Sequence, residues 1–377
     1  MTRLRTSLTD RLGLNAPIFG FSHAVEVVAA ITNAGGYGVY GATRRLPEEI
    51  AAELAWIRAR VGDRPFGVDL VIPAKVPEKN DRDALEKEIP DAHRAFVAGI
   101  ERKYNVPKPS GPGMRTRFIR SEEIQDAQIA AVAASDVDLV ALGIGCPPEV
   151  VATMKARGKM TVALVGQERH ARKALEAGVD LLVAQGGDAG GHTGVVGTFS
   201  LVPRIVDLAG DVPVLAAGGV ATGRHVAAAL ALGAAGVWVG TAFLLTDENA
   251  AHLTEGEVEA LVRSQATDTV ISRAESGKPF RQTRSAWSEE WAAPGAPQPL
   301  GHPLHDVLVG DILGAIEEHD VKPLAHSGAG QGIGWFDRMR PVAEVMADLA
   351  GGAEAALDRL SAAHGPAQGA EQGRVPA

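Results

Sequence analysis

Cysteine is almost missing from this chain: Cys146 stands alone among 377 residues. One thiol excludes an intramolecular disulfide framework and any cysteine-based zinc or iron–sulfur cluster, and no metal site is expected. Positive charge is also in deficit, with 37 Lys and Arg against 46 Asp and Glu and a net charge of −9. Phosphate backbones bind to basic faces, so nucleic acid is excluded as the main partner. The first residues, MTRLRTSLTDRLGLN, carry both signs of charge and lack the apolar run of a signal peptide. With a lone thiol that would stay reduced, this predicts a cytoplasmic protein. Residues 226–246 carry no charge, but their alanines are interrupted by Gly233, Gly236 and Gly240. A helix and then a buried strand explain that stretch better than a membrane span. The Walker pattern is absent too.

Glycine is the residue in excess. There are 44 in the chain, about 12% against a usual value of about 7%. Residues 178–240 hold 14 of them. Loops in which a ligand approaches the main chain have this composition, and so do surfaces of small residues packed together.

Eight short apolar runs alternate with segments of helical period. The runs are 17–21, 37–41, 66–72, 138–142, 161–165, 181–184, 214–217 and 236–239. They are continuous rather than alternating, as in a parallel sheet covered on both faces. Helices are expected at 24–33, 47–61, 121–134, 148–157, 169–177, 201–208 and 224–232. The segment after Leu244 is expected to supply the eighth, with 246–264 reading as helical. Eight βα units predict an α/β protein, a (β/α)₈ TIM barrel; a doubly wound sheet is the competing architecture. The charged stretch 73–118 interrupts the alternation after the third strand and reads as an insertion with one helix near 81–103. The expected organisation is a barrel over 1–245, a helical and irregular cap over 246–365, and a flexible tail over 366–377. Within the cap, 276–303 reads as irregular, while 306–319 and 341–360 read as helices.

Ligands of such barrels sit over the carboxyl ends of the strands, and phosphates favour the turns after strands seven and eight. Strand seven ends in Gly218-Gly219 and strand eight in Gly240-Thr241. Their N–H groups, with the Thr241 hydroxyl, suit a phosphate; tight turning is the alternative explanation. Strand six runs into Gln185-Gly186-Gly187-Asp188-Ala189-Gly190-Gly191-His192-Thr193-Gly194. A histidine at the rim suits proton abstraction near neutral pH, and Gln185 can donate and accept toward a heterocycle.

The runs LLVAQGGDAGGHTG and PVLAAGGVATGRHVAAALALGAAGVWVGTAFL resemble the nitronate monooxygenases, formerly called 2-nitropropane dioxygenases. These are FMN-dependent barrels related to a flavin-dependent enoyl-acyl carrier protein reductase and an NADH:quinone reductase. The resemblance spans about 17–245 and reaches weakly into Ser327-Gly328-Ala329-Gly330-Gln331, similar to an AGQ element. It implies FMN across the barrel mouth, with phosphate on Gly218, Gly219, Gly240 and Thr241. Gln185 and Gly187, with Gly190, Gly191 and Gln331, would contact the cofactor. So would the main chain of Gly20, Phe21 and Ser22, where the family usually has Ala-Pro-Met. His192 occupies the position of the catalytic base, and His170 is similar to a histidine near the flavin in the reductases. Asp69 stands where an Asn usually faces the flavin, so an ionised carboxylate there would disfavour the anionic reduced cofactor. Gly143 aligns with a second histidine of the nitronate oxidisers. The implied reaction is oxidation of nitronates and nitroalkanes by O₂ to a carbonyl compound and nitrite, with His192 as the base, in a monomer or homodimer. The alternatives are an NAD(P)H-dependent reductase of an enoyl thioester or quinone, and a flavin-binding protein without turnover.

Overall fold

Alternate residues of each apolar run point to opposite faces, and both faces find cover. In a computed structural model, which describes residues 4–73, 75–114 and 116–363, the runs form β1 (Ile18–Ser22), β2 (Tyr37–Gly41), β3 (Gly67–Val71), β4 (Leu139–Gly143), β5 (Met160–Val165) and β6 (Leu181–Gln185). A two-residue strand, β7 (Gly191–His192), comes next, then β8 (Val214–Ala217) and β9 (Gly236–Val239). All but β7 pair in parallel in the order β1-β2-β3-β4-β5-β6-β8-β9, and β9 closes on β1 with Ile18 opposite Val237. The protein is therefore a (β/α)₈ barrel, and every expected strand lies within a residue of the observed one.

Phe19, Tyr37, Leu139, Val162, Leu181, Val183 and Leu215 fill the interior of the barrel, with the Phe19 and Tyr37 rings stacked 4.8 Å apart. Val68, Leu70, Val140, Leu142, Leu182 and Val237 face outward into the helix layer. The short helix Ser7–Leu12, closed by a Thr6–Thr9 capping box, puts Leu8 into the interior cluster and plugs the floor. Toward the carboxyl ends the inward positions change character, to Gly41, Asp69, Gly143 and Gln185. The packed core ends there and a cavity begins.

Four expectations are corrected. The single helix near 81–103 is two, Arg82–Glu88 and Asp91–Tyr104, because Pro90 holds extended backbone at φ −66°, ψ 142°. The stretch 246–264 is a 3₁₀ turn, Asp247–His252, and then a helix, Glu255–Arg263. Thr254 restarts the chain as a capping box with Glu257. The helix that completes the outer ring comes from much later: Val342–Ala363 packs on helix Gly223–Ala231 and on helix Val25–Asn33. A Cβ at Gly223 would lie 2.2 Å from the backbone of Gly352 and Ala353, so the first crossing depends on glycine. Finally, 276–303 is not wholly irregular. It holds β11 (Phe280–Thr283) and helix Ala286–Ala292. β11 pairs antiparallel with both β10 (Thr269–Ser272) and β7, in the order β10-β11-β7. The expected tail at 366–377 lies outside the described residues.

Val97 and Ile100 of the insertion share a cluster with Trp287, Val309, Ile312 and Leu313 from beyond the barrel strands. The insertion and the carboxyl-terminal region thus roof the mouth together.

Candidate functional site

A cavity of about 1510 Å³ opens over the carboxyl ends of the strands. Its floor includes Phe21, Asp69, Gly143 and Gln185, and its walls rise through the turns after β6, β8 and β9 to the roof. Of the residues singled out in the sequence, Phe21, Ser22, Asp69, His170, Gln185, Gly190, Gly191, His192, Gly218, Gly219, Gly240 and Thr241 line it. Gly20, Gly187 and Gln331 do not. Gly20 faces the helix layer, where an added Cβ would meet Ile31 and Phe243. Gly187 is buried with both backbone groups engaged: its N–H donates to the Val196 carbonyl, and its carbonyl accepts from Arg281 Nε. Gln331 is exposed, and its N–H donates to the Asp188 carbonyl at 2.9 Å.

His192 rides on β7 rather than on a free loop, opposite Phe280 of β11. Its Nε2 lies 2.7 Å from Ser276 Oγ, and its ring stands edge-on to Phe280 at 5.2 Å. Gln185 Nε2 donates to the His192 carbonyl at 3.2 Å, so the glutamine steadies the histidine strand while lining the cavity. Asp188 is structural here: Oδ2 accepts the N–H of Thr198 at the head of helix Thr198–Ala209.

The glycines of this rim do two different jobs. At Gly190 an added Cβ would lie 2.7 Å from Ala329 and Gly330, so that glycine admits a neighbouring chain segment. Gly218 and Gly219 have φ of +103° and +71°, the left-handed region that side chains disfavour. Their N–H groups donate to no acceptor among the described residues. Consecutive unused amides in such a turn form an anion cradle. The Thr241 hydroxyl accepts the N–H of Gly330 at 3.0 Å and still has its own proton to donate. A phosphate-bearing cofactor fits this rim by backbone chemistry and by volume.

Asp69 faces the cavity on β3. It is 5% exposed, and its Oδ2 has no hydrogen-bond partner among the described residues. Burial pushes its carboxyl up to about 7, and nearby Arg120 only partly opposes this. A Cβ on Gly143 would lie 3.8 Å from that same Oδ2, so the two departures from the family pattern adjoin. His170 is exposed near the head of helix Glu168–Glu176, with its basicity lowered by partial burial and then by Arg169 and Lys173. Burial lifts the Cys146 thiol to about 11, which removes it as a nucleophile.

Sequence reasoning missed Ser276, Arg44, Arg120 and Lys278, all of which line the cavity. They belong to stretches without period, and no motif marks them.

Fold and rim together define a (β/α)₈ barrel with a ligand-sized cavity over the carboxyl ends of its strands. The family model for nitronate monooxygenase matches residues 5–352. A Mycobacterium tuberculosis protein with a provisional monooxygenase name is 40% identical over 364 residues, covering 92% of this chain and 96% of that one. A Staphylococcus aureus protein described as a probable nitronate monooxygenase is 31% identical over 346 residues, covering 87% and 91%. The nitroalkane oxidase of Streptomyces ansochromogenes superposes with a TM-score of 0.78 at 29% identity, covering 94% of this chain and all of that one. The chain belongs to the nitronate monooxygenase family, a family of flavin-dependent oxidoreductases. No helix among the described residues is long and apolar enough to cross a membrane.

Proposed function

We propose that this enzyme binds FMN and uses O₂ to oxidise nitronates and neutral nitroalkanes to a carbonyl compound and nitrite. The observation that carries this reading is His192, held by strand pairing and a 2.7 Å contact to Ser276 over the cavity that also holds the free Gly218 and Gly219 amides. Gly218, Gly219, Gly240 and Thr241 would hold the FMN phosphate, and Gln185 would face the ring. Bound FMN supplies the electron acceptor for the nitronate and the route to O₂. His192 takes the proton from the carbon beside the nitro group of a neutral nitroalkane. A preformed nitronate has already lost that proton and bypasses the base. The strand and the Phe280 contact fix the ring's orientation, so little reorganisation is needed when the proton moves.

The test is anaerobic reduction of the yellow holoprotein. A nitronate without NAD(P)H is expected to bleach the flavin. Bleaching by NAD(P)H alone would transfer the enzyme to the reductases, and no bleaching by either would make it a flavin-binding protein. In the same assay His192→Asn should lose neutral nitroalkanes by at least a hundredfold and keep preformed nitronates. Equal losses on both would refute the base.

A further inference from the structure

Backbone strain is concentrated at one residue of the cavity rim. Among the described residues, three that are not glycine have positive φ: Asn105 at 51°, Asp320 at 45° and Ile144 at 64°. Asn105 and Asp320 are of types that tolerate the left-handed region, and each closes the end of a helix. Ile144 is β-branched, and for such a residue that region is a true outlier. The Gly145 N–H donates to the Gly143 carbonyl at 2.7 Å and closes a three-residue γ-turn around Ile144. A γ-turn with positive φ at its centre is rare and strained.

Both ends of the turn are held. The Gly143 carbonyl also accepts the Ile72 N–H at 3.0 Å, which keeps the end of β4 tied to the chain leaving β3. Beyond Cys146, Pro147 and Pro148 set the start of helix Pro148–Ala156. Gly143 faces the cavity floor beside Asp69. The pleat of β4 would send the next side chain to the opposite face, into the helix layer. The turn instead leaves Ile144 on the cavity wall, 47% exposed. Pro73 and Val76, which follow the neighbouring strand β3, line the same cavity. The barrel order sets β4 across the ring from β9, so Ile144 stands on the far side of the mouth from Gly240-Thr241.

The fold gains nothing from isoleucine at this position. Glycine would adopt the same φ freely and would expose no apolar surface. A side chain that is both strained and half bare belongs where a ligand covers it. We propose that Ile144 is a specificity-determining residue, presented by its γ-turn as an apolar contact for an aliphatic arm of the substrate. The inference rests on the reading of this cavity as the enzyme's substrate site.

The experiment is calorimetric titration of the oxidised holoprotein with butanamide and octanamide, neutral compounds that carry no nitro group. Binding needs no turnover, so the outcome is separate from that of the bleaching test. Each buried methylene is worth about fourfold in affinity, so octanamide is expected to bind at least about tenfold more tightly than butanamide. Ile144→Gly should weaken octanamide by about fivefold or more, leave butanamide within about twofold, and keep or raise the melting temperature. Ile144→Asn, a residue type at home in the left-handed region, should repeat that pattern without loosening the backbone as glycine does. Unchanged octanamide affinity in both variants would overturn the proposal. So would equal losses of the two amides, or a lower melting temperature in both variants, since the residue would then serve the fold. Variants that purify without flavin would overturn it too, because Ile144 would then be a cofactor contact.

Discussion

A carboxyl group in the place of an amide changes what one residue does with pH. The Asp69 carboxyl is raised from 3.8 to about 7 by burial. The folded chain therefore binds that proton more tightly than the unfolded chain, and stability falls as pH rises between those values. The contribution is fully present below the unfolded value and lost by about pH 7, on the order of a few kcal/mol. Asp69→Asn has no such proton to lose. Thermal unfolding should show the variant gaining on the wild type from pH 5 to pH 7.5; an unchanged difference would mean that Asp69 is ionised throughout. Below about pH 7 the same protonation removes the carboxylate charge from the cavity floor, and a protonated Asp69 would not repel a reduced flavin.

At the scale of elements, continuous apolar runs announced the eight barrel strands, and glycine turns announced the rim. β7 was beyond reach. Two residues carry no period, and its partner Phe280 stands 88 positions further on in a stretch that reads as irregular. Pro90 was visible, but its power to divide a helix competed with good helical residues on either side. Ser276 became a functional candidate only when the roof brought it to the mouth. Gly218→Ala examines the rim: its Cβ would lie 2.7 Å from Thr198 Oγ1 at a φ of +103°. We expect at least tenfold weaker FMN binding by fluorescence titration, with far-ultraviolet circular dichroism unchanged. Gly210→Ala is the control, since it shares a positive φ of +59° but has open space around it. It should cost about 1 kcal/mol of stability and leave FMN affinity as it was.

For the molecule as a whole, the decisive packing is that of helix Val342–Ala363, which lays Val345, Met346, Leu349 and Ala353 into the main core. A chain ending at Pro341 would leave the groove between helices Gly223–Ala231 and Val25–Asn33 bare. Such a truncation should lose cooperative thermal unfolding and bind a hydrophobic dye, even though every barrel strand is present; a sharp transition would show that the seam stands unaided. The placement also has a consequence for how the protein is made. The ribosome delivers all eight strands and both flanking helices long before it delivers the residues that cover them. A growing chain therefore holds an open apolar seam from the completion of the barrel strands until residues 342–363 have left the exit tunnel, and the outer ring closes only then.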